Sequence, residues 1–323
     1  MSLPADLQAA IARRLAAEAP GSRRKESAAL SATYRAGGSS RGVDLSAYLV
    51  ARLPATHAAV SHVLAEVAAA RPGFAPESIL DAGSGPGTAS WAAVEAWASL
   101  RHVTFLDNAP AFLKLAGELA AEGPEPLRKA ASVPASIEAM PQGLSADLVV
   151  AAYALAELPL ARIPAIAAAL WAASRAMLIL VEPGTPQGFA RIRAARSQLL
   201  GQGAVPVAPC GHAAACPMAG EDWCHFSVRL SRSRAHMHVK SASVPFEDER
   251  FAYLALARDG AASGSLRIVA PAAQAKHGVT FRLCTAEGII ERHVARREGE
   301  AYKRVRKLDW GDAIGPATGE DTE

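Results

Sequence analysis

The chain reads as an α/β protein with a doubly wound sheet, a helical N-terminal extension and a cysteine-rich C-terminal region. Three observations carry this. The run Ser78-Ile79-Leu80-Asp81-Ala82 leads into Gly83-Ser84-Gly85-Pro86-Gly87-Thr88 and then into an apolar-periodic helix over Ala89–Trp97. Strand-like apolar runs alternate with helix-like ones as far as Val181, an order that predicts a parallel, doubly wound sheet. All four cysteines fall after residue 209.

Before the glycine turn the pattern is helical. Ala5–Ala17 carries Leu7, Ile11 and Leu15 at helical spacing, and Gly21–Lys25 is a basic break. Ala28–Arg35 reads as a second helix, Gly37–Arg41 as a Gly/Ser linker, and Asp44–Arg52 as a short helix ended by Leu53-Pro54. Thr56–Ala70 is amphipathic, with Val60, Val63, Leu64 and Val67 on one face, and Arg71-Pro72-Gly73 closes it. The expected division is a helical extension over 1–72, a Rossmann-like ligand-binding domain over 73–200, and a cysteine-rich, basic region over 201–323.

The turn itself predicts a ligand site. Glycines permit positive φ and let a ligand approach the backbone. The helix that follows presents unpaired N–H groups to whatever rests on the turn. The spacing is G-x-G-x-G, and Thr88 stands where the dinucleotide fingerprint expects Gly or Ala. That shifts the reading from a nicotinamide dinucleotide toward S-adenosylmethionine, whose amino-acid end needs only a close backbone. The alternative is a glycine-rich connection with no ligand. Candidate binding residues are Asp81, Gly83, Ser84, Gly85 and Gly87, with Asp81 as an acceptor for a ligand hydroxyl, amine or bridging water.

His102–Leu106 reads as the next strand. It ends in Asp107, 26 positions beyond Asp81, where a carboxylate can accept from both hydroxyls of a ribose; Asp107-Asn108 also suits a turn. A helix over Ala111–Ala121 follows. Ala146–Ala151 is a strand buried on both faces by its composition, with Tyr153–Leu158 at its carboxyl end, where ligands sit in open α/β sheets. Ile163–Ser174 is a helix and Ala176–Val181 a strand. The stretch after Asp147 lacks the Asn/Asp-Pro-Pro-aromatic signature of many amino-group methyltransferases, and no cysteine is placed for pyrimidine attack. Tyr153 and Glu157 are its polar groups, so a cofactor pocket is better supported than any chemistry.

Net charge is +3, unevenly placed. Ala190–Trp310 holds 19 Lys+Arg against 11 Asp+Glu, and the remainder 15 against 20. The basic half suits either an anionic partner or a solvated surface. No run of about 18 apolar residues occurs, so no membrane span is expected. Met1–Pro20 has Arg13 and Arg14 beside Asp6 and Glu18, with no signal-peptide core, so the expected location is cytoplasmic.

Cys210, Cys216, Cys224 and Cys284 are separated by 6, 8 and 60 positions. In a cytosolic chain such clustering favours metal over disulfides, yet there is no C-x2-4-C knuckle of the zinc kind. Four thiolates on a wide loop and a distant strand suit an iron–sulfur cluster. Zinc held by three cysteines with His212 or His225 stays open, as do unliganded buried cysteines.

Several segments resemble the Rsm-type small-ribosomal-subunit methyltransferase-like family, whose mitochondrial members are called methyltransferase-like protein seventeen. They are Pro54–Ala59, Leu80–Thr88, Val181–Phe189, Ala208-Pro209-Cys210 through Cys216-Pro217, and Trp223–Phe226. Asp248–Tyr253, Leu283–Gly288 and Trp310-Gly311-Asp312 fit as well. The resemblance implies a class I methyltransferase-like fold and S-adenosylmethionine binding. It implies an iron–sulfur cluster, of the 4Fe-4S type, on Cys210, Cys216, Cys224 and Cys284. It also implies association with the small ribosomal subunit through its rRNA, in a bacterial relative of the mitochondrial proteins.

Basic residues fit an RNA partner: Arg229, Arg232, Arg234 and Lys240, then Arg292, Arg296, Arg297, Lys303, Arg304, Arg306 and Lys307. Phosphate contacts supply affinity without sequence choice, and structured RNA is read by shape. The expected function is small-subunit assembly, with no DNA or membrane partner. The alternatives are an active S-adenosylmethionine-dependent rRNA methyltransferase and a zinc-stabilised small-molecule methyltransferase.

Overall fold

The computed structural model describes residues 3–16, 45–232, 237 and 243–315. Its centre is an eight-stranded sheet. The strands are β1 (Ser78–Ala82), β2 (His102–Asp107), β3 (Ala131–Pro134), β4 (Ala146–Ala152), β5 (Ser174–Pro183), β6 (Val205–Ala208), β7 (Phe226–Ser231) and β8 (Phe246–Ala257). The order is β3-β2-β1-β4-β5-β8-β6, with β7 also on β8. Strands β1 to β5 run parallel. The fold is α/β with helices between the parallel strands, as expected, but the sheet is mixed, which corrects the expectation of a parallel one. β8 enters antiparallel to β5, and β6 and β7 are antiparallel to β8. β7 and β8 are consecutive, and an antiparallel pair needs no crossover helix.

Helices cover both faces. On one lie α1 (Ala5–Ala16), α2 (Leu53–Ala70), α3 (Thr88–Ala96) and α4 (Pro110–Ala120); on the other, α5 (Ile163–Ala173) and α6 (Pro186–Leu200). Strand alternation divides the core between them. Ile79, Leu148 and Val150 join the first face, Leu80, Val149 and Ala151 the second. The Val60, Val63, Leu64 and Val67 stripe of α2 shares the first core with Trp91, Phe105 and Phe251.

One boundary differs from expectation. Leu53-Pro54 does not end a helix. Tyr48–Arg52 forms a π-helical turn that runs straight into α2, with Pro54 as the second residue of α2. The expected break at 21–25, the helix at 28–35 and the linker at 37–41 lie outside the described residues, as do Arg234 and Lys240.

A second, antiparallel sheet follows β8. It comprises β9 (Leu266–Ile268), β10 (Ala273–Ala275), β11 (Gly278–Cys284), β12 (Ile289–Ala295) and β13 (Ala313–Ile314). Ile268, Val279, Phe281, Leu283 and Val294 form its small core. A short helix, α7 (Glu300–Val305), leads from β12 toward β13. Among the described residues no helix is long and apolar enough to cross a membrane.

Candidate functional site

A cavity of about 290 Å3 opens at the carboxyl ends of β1, β2 and β4. Gly83, Gly85 and Asp107 line it, together with Tyr48, Phe112 and Tyr153. Gly83 has φ +73°, and a Cβ there would lie 2.5 Å from the Ala154 Cβ. Gly87, at φ +81°, begins α3 over the Phe105 ring. The glycines are therefore demanded by sterics as well as by conformation.

Asp107 joins two loops. Its Oδ2 accepts from the Gly85 amide and its Oδ1 from the Ala109 amide, both at 2.8 Å. Burial raises its pKa, and these hydrogen bonds oppose the rise.

Asp81 points elsewhere. Its Oδ2 accepts from the Ser90 amide at 3.0 Å and the Ser90 hydroxyl at 2.9 Å, inside the first turn of α3. Burial pushes this carboxyl up to about 7, against the two Ser90 hydrogen bonds. Ser84 is buried, with its hydroxyl toward the Gly85 carbonyl at 3.4 Å. Of the expected binding residues, Gly83, Gly85 and Asp107 meet the cavity, while Asp81, Ser84 and Gly87 shape the loop that builds it.

The sequence does not flag the partners of Tyr153. This residue sits just past β4 at φ +59°, a conformation that costs an L-residue about 1–2 kcal/mol. Its amide donates to the Val181 carbonyl at 2.7 Å. Its hydroxyl donates to Glu249 on β8 at 2.8 Å, and Arg52 donates to the same Glu249 oxygen at 2.8 Å. The Arg52 guanidinium also lies 4.2 Å from the centre of the Tyr153 ring. Burial works against the Arg52 charge, but Glu249 and Tyr153 outweigh it and raise its pKa. No local motif marks Arg52 or Glu249, because they meet only through the fold.

Glu182, near the end of β5, is fully buried. One carboxylate oxygen accepts from the Leu155 amide at 2.9 Å, and the other has no hydrogen-bond partner among the described residues. Burial pushes this carboxyl up to about 8. Two positions on, the Gly184 carbonyl accepts from the Trp223 indole at 3.1 Å.

The cysteines lie across β8 and the second sheet. β6 pairs with Ala255–Ala257 and β7 with Phe246–Phe251 of the same strand. The chain thus leaves the β8 edge at Ala208 and rejoins it at Phe226, and Cys210, Cys216 and Cys224 ride on that excursion. Cys284 ends β11 opposite Arg267 on β9. Arg267 donates to the Pro209 carbonyl at 2.9 Å, and to the Gly311 carbonyl and Glu66 at 2.6 Å each. Arg282 pairs with Asp222. These contacts hold the second sheet against the cysteine loop.

Burial raises Cys224 well above its ordinary value, and Cys210, Cys284 and Cys216 raise it further. Burial, with Cys210 and Cys216, pushes Cys284 up to about 12. The Cys284 sulfur lies 3.5 Å from His212 Nε2. His225 stacks on Trp223 at 5.0 Å and meets the Trp310 edge at 4.7 Å. Among the described residues no three His, Cys, Asp or Glu side chains stand together as a single metal ion requires.

The basic residues divide. Arg229 forms a two-point pair with Asp248 and Arg232 reaches Glu247, both across the β7–β8 ladder. Arg296, Arg297, Lys303, Arg304, Arg306 and Lys307 are exposed around α7, with Lys303 paired to Glu300 at 2.6 Å.

A family model described as mitochondrial small ribosomal subunit Rsm22 matches residues 43–315. The chain is 32% identical over 286 residues to the human protein named ribosome assembly protein METTL17, mitochondrial. That match covers 83% of this chain and 61% of the relative, so the chain spans about three-fifths of the relative's length. Among solved structures, it is similar to magnesium protoporphyrin IX methyltransferase from Synechocystis PCC 6803 at 16% identity and a TM-score of 0.41, covering 64% of this chain and 80% of that one. It is similar to precorrin-6y C5,15-methyltransferase from Geobacter metallireducens GS-15 at 15% identity and a TM-score of 0.40, covering 62% and 87%.

Proposed function

The chain belongs to the Rsm22 family, and on that footing we propose that it is an assembly factor of the small ribosomal subunit built on a methyltransferase scaffold. In this reading it binds S-adenosylmethionine in the glycine-lined cavity, holds an iron–sulfur cluster on four cysteines and contacts rRNA. The observation that supports the reading is the family match over residues 43–315, in a chain whose human relative is named a ribosome assembly protein.

The donor set suits a cluster better than zinc. The donors offered are four cysteines without a zinc-type C-x2-4-C pair, and among the described residues no three His, Cys, Asp or Glu side chains are placed to hold a metal ion. A polynuclear cluster spreads its ligands further apart and takes all of them from thiolates. His225 is occupied by its aromatic neighbours. When bound, the cluster would supply folding free energy to this region. RNA would meet the exposed Arg and Lys residues around α7, through phosphates.

The cavity favours a binding role over catalysis. The Tyr153 hydroxyl is engaged by Glu249, with Arg52 on the same carboxylate oxygen, so it is not held ready to receive or give a proton. The test is co-sedimentation of anaerobically purified protein with small-subunit particles over a salt series, with iron, sulfide and zinc assayed on the same sample. Binding that weakens steeply with salt, with iron and sulfide in the protein, is the expected outcome. Absence from the particles at moderate salt removes the assembly reading. Loss of a specific rRNA methylation in a strain lacking the gene would establish the methyltransferase alternative instead.

A further inference from the structure

A second cavity, of about 540 Å3, opens between helix α6 and the 213–216 stretch, and it shares no lining residue with the glycine-lined one. Helical spacing explains its wall. The α6 helix buries Phe189, Ile192, Ala195 and Leu199 in the core. The neighbouring stripe, Ala190, Arg193, Ala194 and Ser197, therefore faces the cavity. Arg193 is exposed there, and Arg196, only 4% exposed, lines the same space. Arg193 Nη1 donates to the Met218 carbonyl at 3.3 Å and Arg196 Nη2 to the His212 carbonyl at 2.8 Å, while Arg196 Nε has no hydrogen-bond partner among the described residues. No Asp or Glu lines the cavity, and neither guanidinium forms an ion pair among the described residues. Arg267, the other buried arginine, has Glu66 at 2.6 Å. A guanidinium held out of water without a counter-charge is costly, so the Arg193–Arg196 pair is a cationic site that lacks its anion.

We propose that this cavity binds a phosphomonoester, with its anionic head on Arg193 and Arg196 and its body against the apolar wall. Guanidinium forks match phosphate oxygens, and the Ser197 hydroxyl, one turn beyond Arg193, adds a further donor. Two fixed positive charges balance a phosphomonoester, which carries nearly two negative ones at neutral pH, better than a backbone phosphodiester, which carries one. Apart from Cys216, the rest of the wall is alanine and leucine, and a volume of this size lies within the usual range of small-molecule sites, about 300–1,000 Å3. The proposal draws on neither the glycine-lined cavity nor the metal reading of the cysteines.

The test is calorimetric titration of the full chain with four probes: uridine monophosphate, inorganic phosphate, uridine and the dinucleoside phosphate UpU. Uracil replaces adenine so that the probes do not compete for a cavity read as taking an adenosyl group. Uridine monophosphate should bind, inorganic phosphate should bind more weakly, and uridine should not bind. Arg193→Gln should weaken uridine monophosphate by about tenfold or more. Ser197→Leu, which fills the cavity from an exposed position, should abolish binding. Both variants should keep the wild-type melting temperature. Arg196→Gln should weaken binding as well; if it does not fold, the two exposed positions decide. Failure of both phosphate probes to bind wild type overturns the proposal, as does binding unchanged in Arg193→Gln and Ser197→Leu. UpU bound as tightly as uridine monophosphate overturns the phosphomonoester assignment and makes the cavity a contact for a nucleic-acid backbone.

Discussion

The Gly85 amide donates to the Asp107 carboxylate at 2.8 Å, so the loop after β1 and the loop after β2 are one hydrogen-bonded unit. The second oxygen of Asp107 holds the Ala109 amide at the start of α4. Asp107→Ala leaves two amides without acceptors and should cost about 1–3 kcal/mol. It should also abolish S-adenosylmethionine binding. Urea denaturation and calorimetric titration measure the two effects; unchanged affinity would remove Asp107 from the ligand site.

Gly83→Ala should act more locally. The backbone there is at φ +73°, and the new methyl would meet the Ala154 Cβ at 2.5 Å. The conformational cost alone is about 1–2 kcal/mol, and the displaced Ala154 would narrow the cavity it lines. Titration should show loss of S-adenosylmethionine binding with iron content unchanged. Loss of both would show that the cavity and the cysteine centre are not separate sites.

Cys224→Ser tests the metal assignment. Cys224 is the thiol on which all three other cysteines act. Its replacement should empty the centre and lower the melting temperature, because metal-binding free energy is also folding free energy. A chelator that strips the wild-type protein should reproduce that lower melting point and leave the variant unaffected. Unchanged metal content and melting in the variant would count against Cys224 as a ligand.

Glu182 predicts a pH dependence. Its carboxyl rises from an ordinary 4.5 to about 8 through burial. Between those values the folded chain keeps a proton that the unfolded chain has released. Its contribution to stability is therefore present at low pH and lost as pH rises through about 8. Glu182→Gln carries no such proton, so it should gain stability relative to wild type as pH climbs across this window. Urea midpoints of the two proteins at several pH values check it; a constant difference would refute the buried-carboxyl account.

The strands β1, β2, β4 and β5 were legible because each signal is local, whereas β3, four mostly exposed residues, was not. Three glycines fix the turn after β1, and the apolar runs of β4 and β5 are buried on both faces. Later elements were not legible, for physical reasons. β8 is half-exposed over Phe246–Arg250 and wholly buried over Phe251–Ala257, so its periodicity changes midway. β9 and β10 are three residues each and exist only through their pairing. Three arginines, Arg191, Arg193 and Arg196, obscure the apolar stripe of α6, although an arginine spaced with Phe189, Ile192 and Leu199 is itself a sign of a buried charge.

The amino-acid order alone determined the strand–turn–helix that makes the cavity, because backbone conformation and side-chain periodicity act over a few residues. It also supplied four thiols without saying how the chain places them. That was decided by tertiary structure: β6 and β7 share one edge of β8, which folds the Cys210–Cys224 segment into a loop, and Arg267 and Arg282 hold the end of β11 against it. Contacts across 60 positions depend on which surfaces pack together, and no local pattern encodes that.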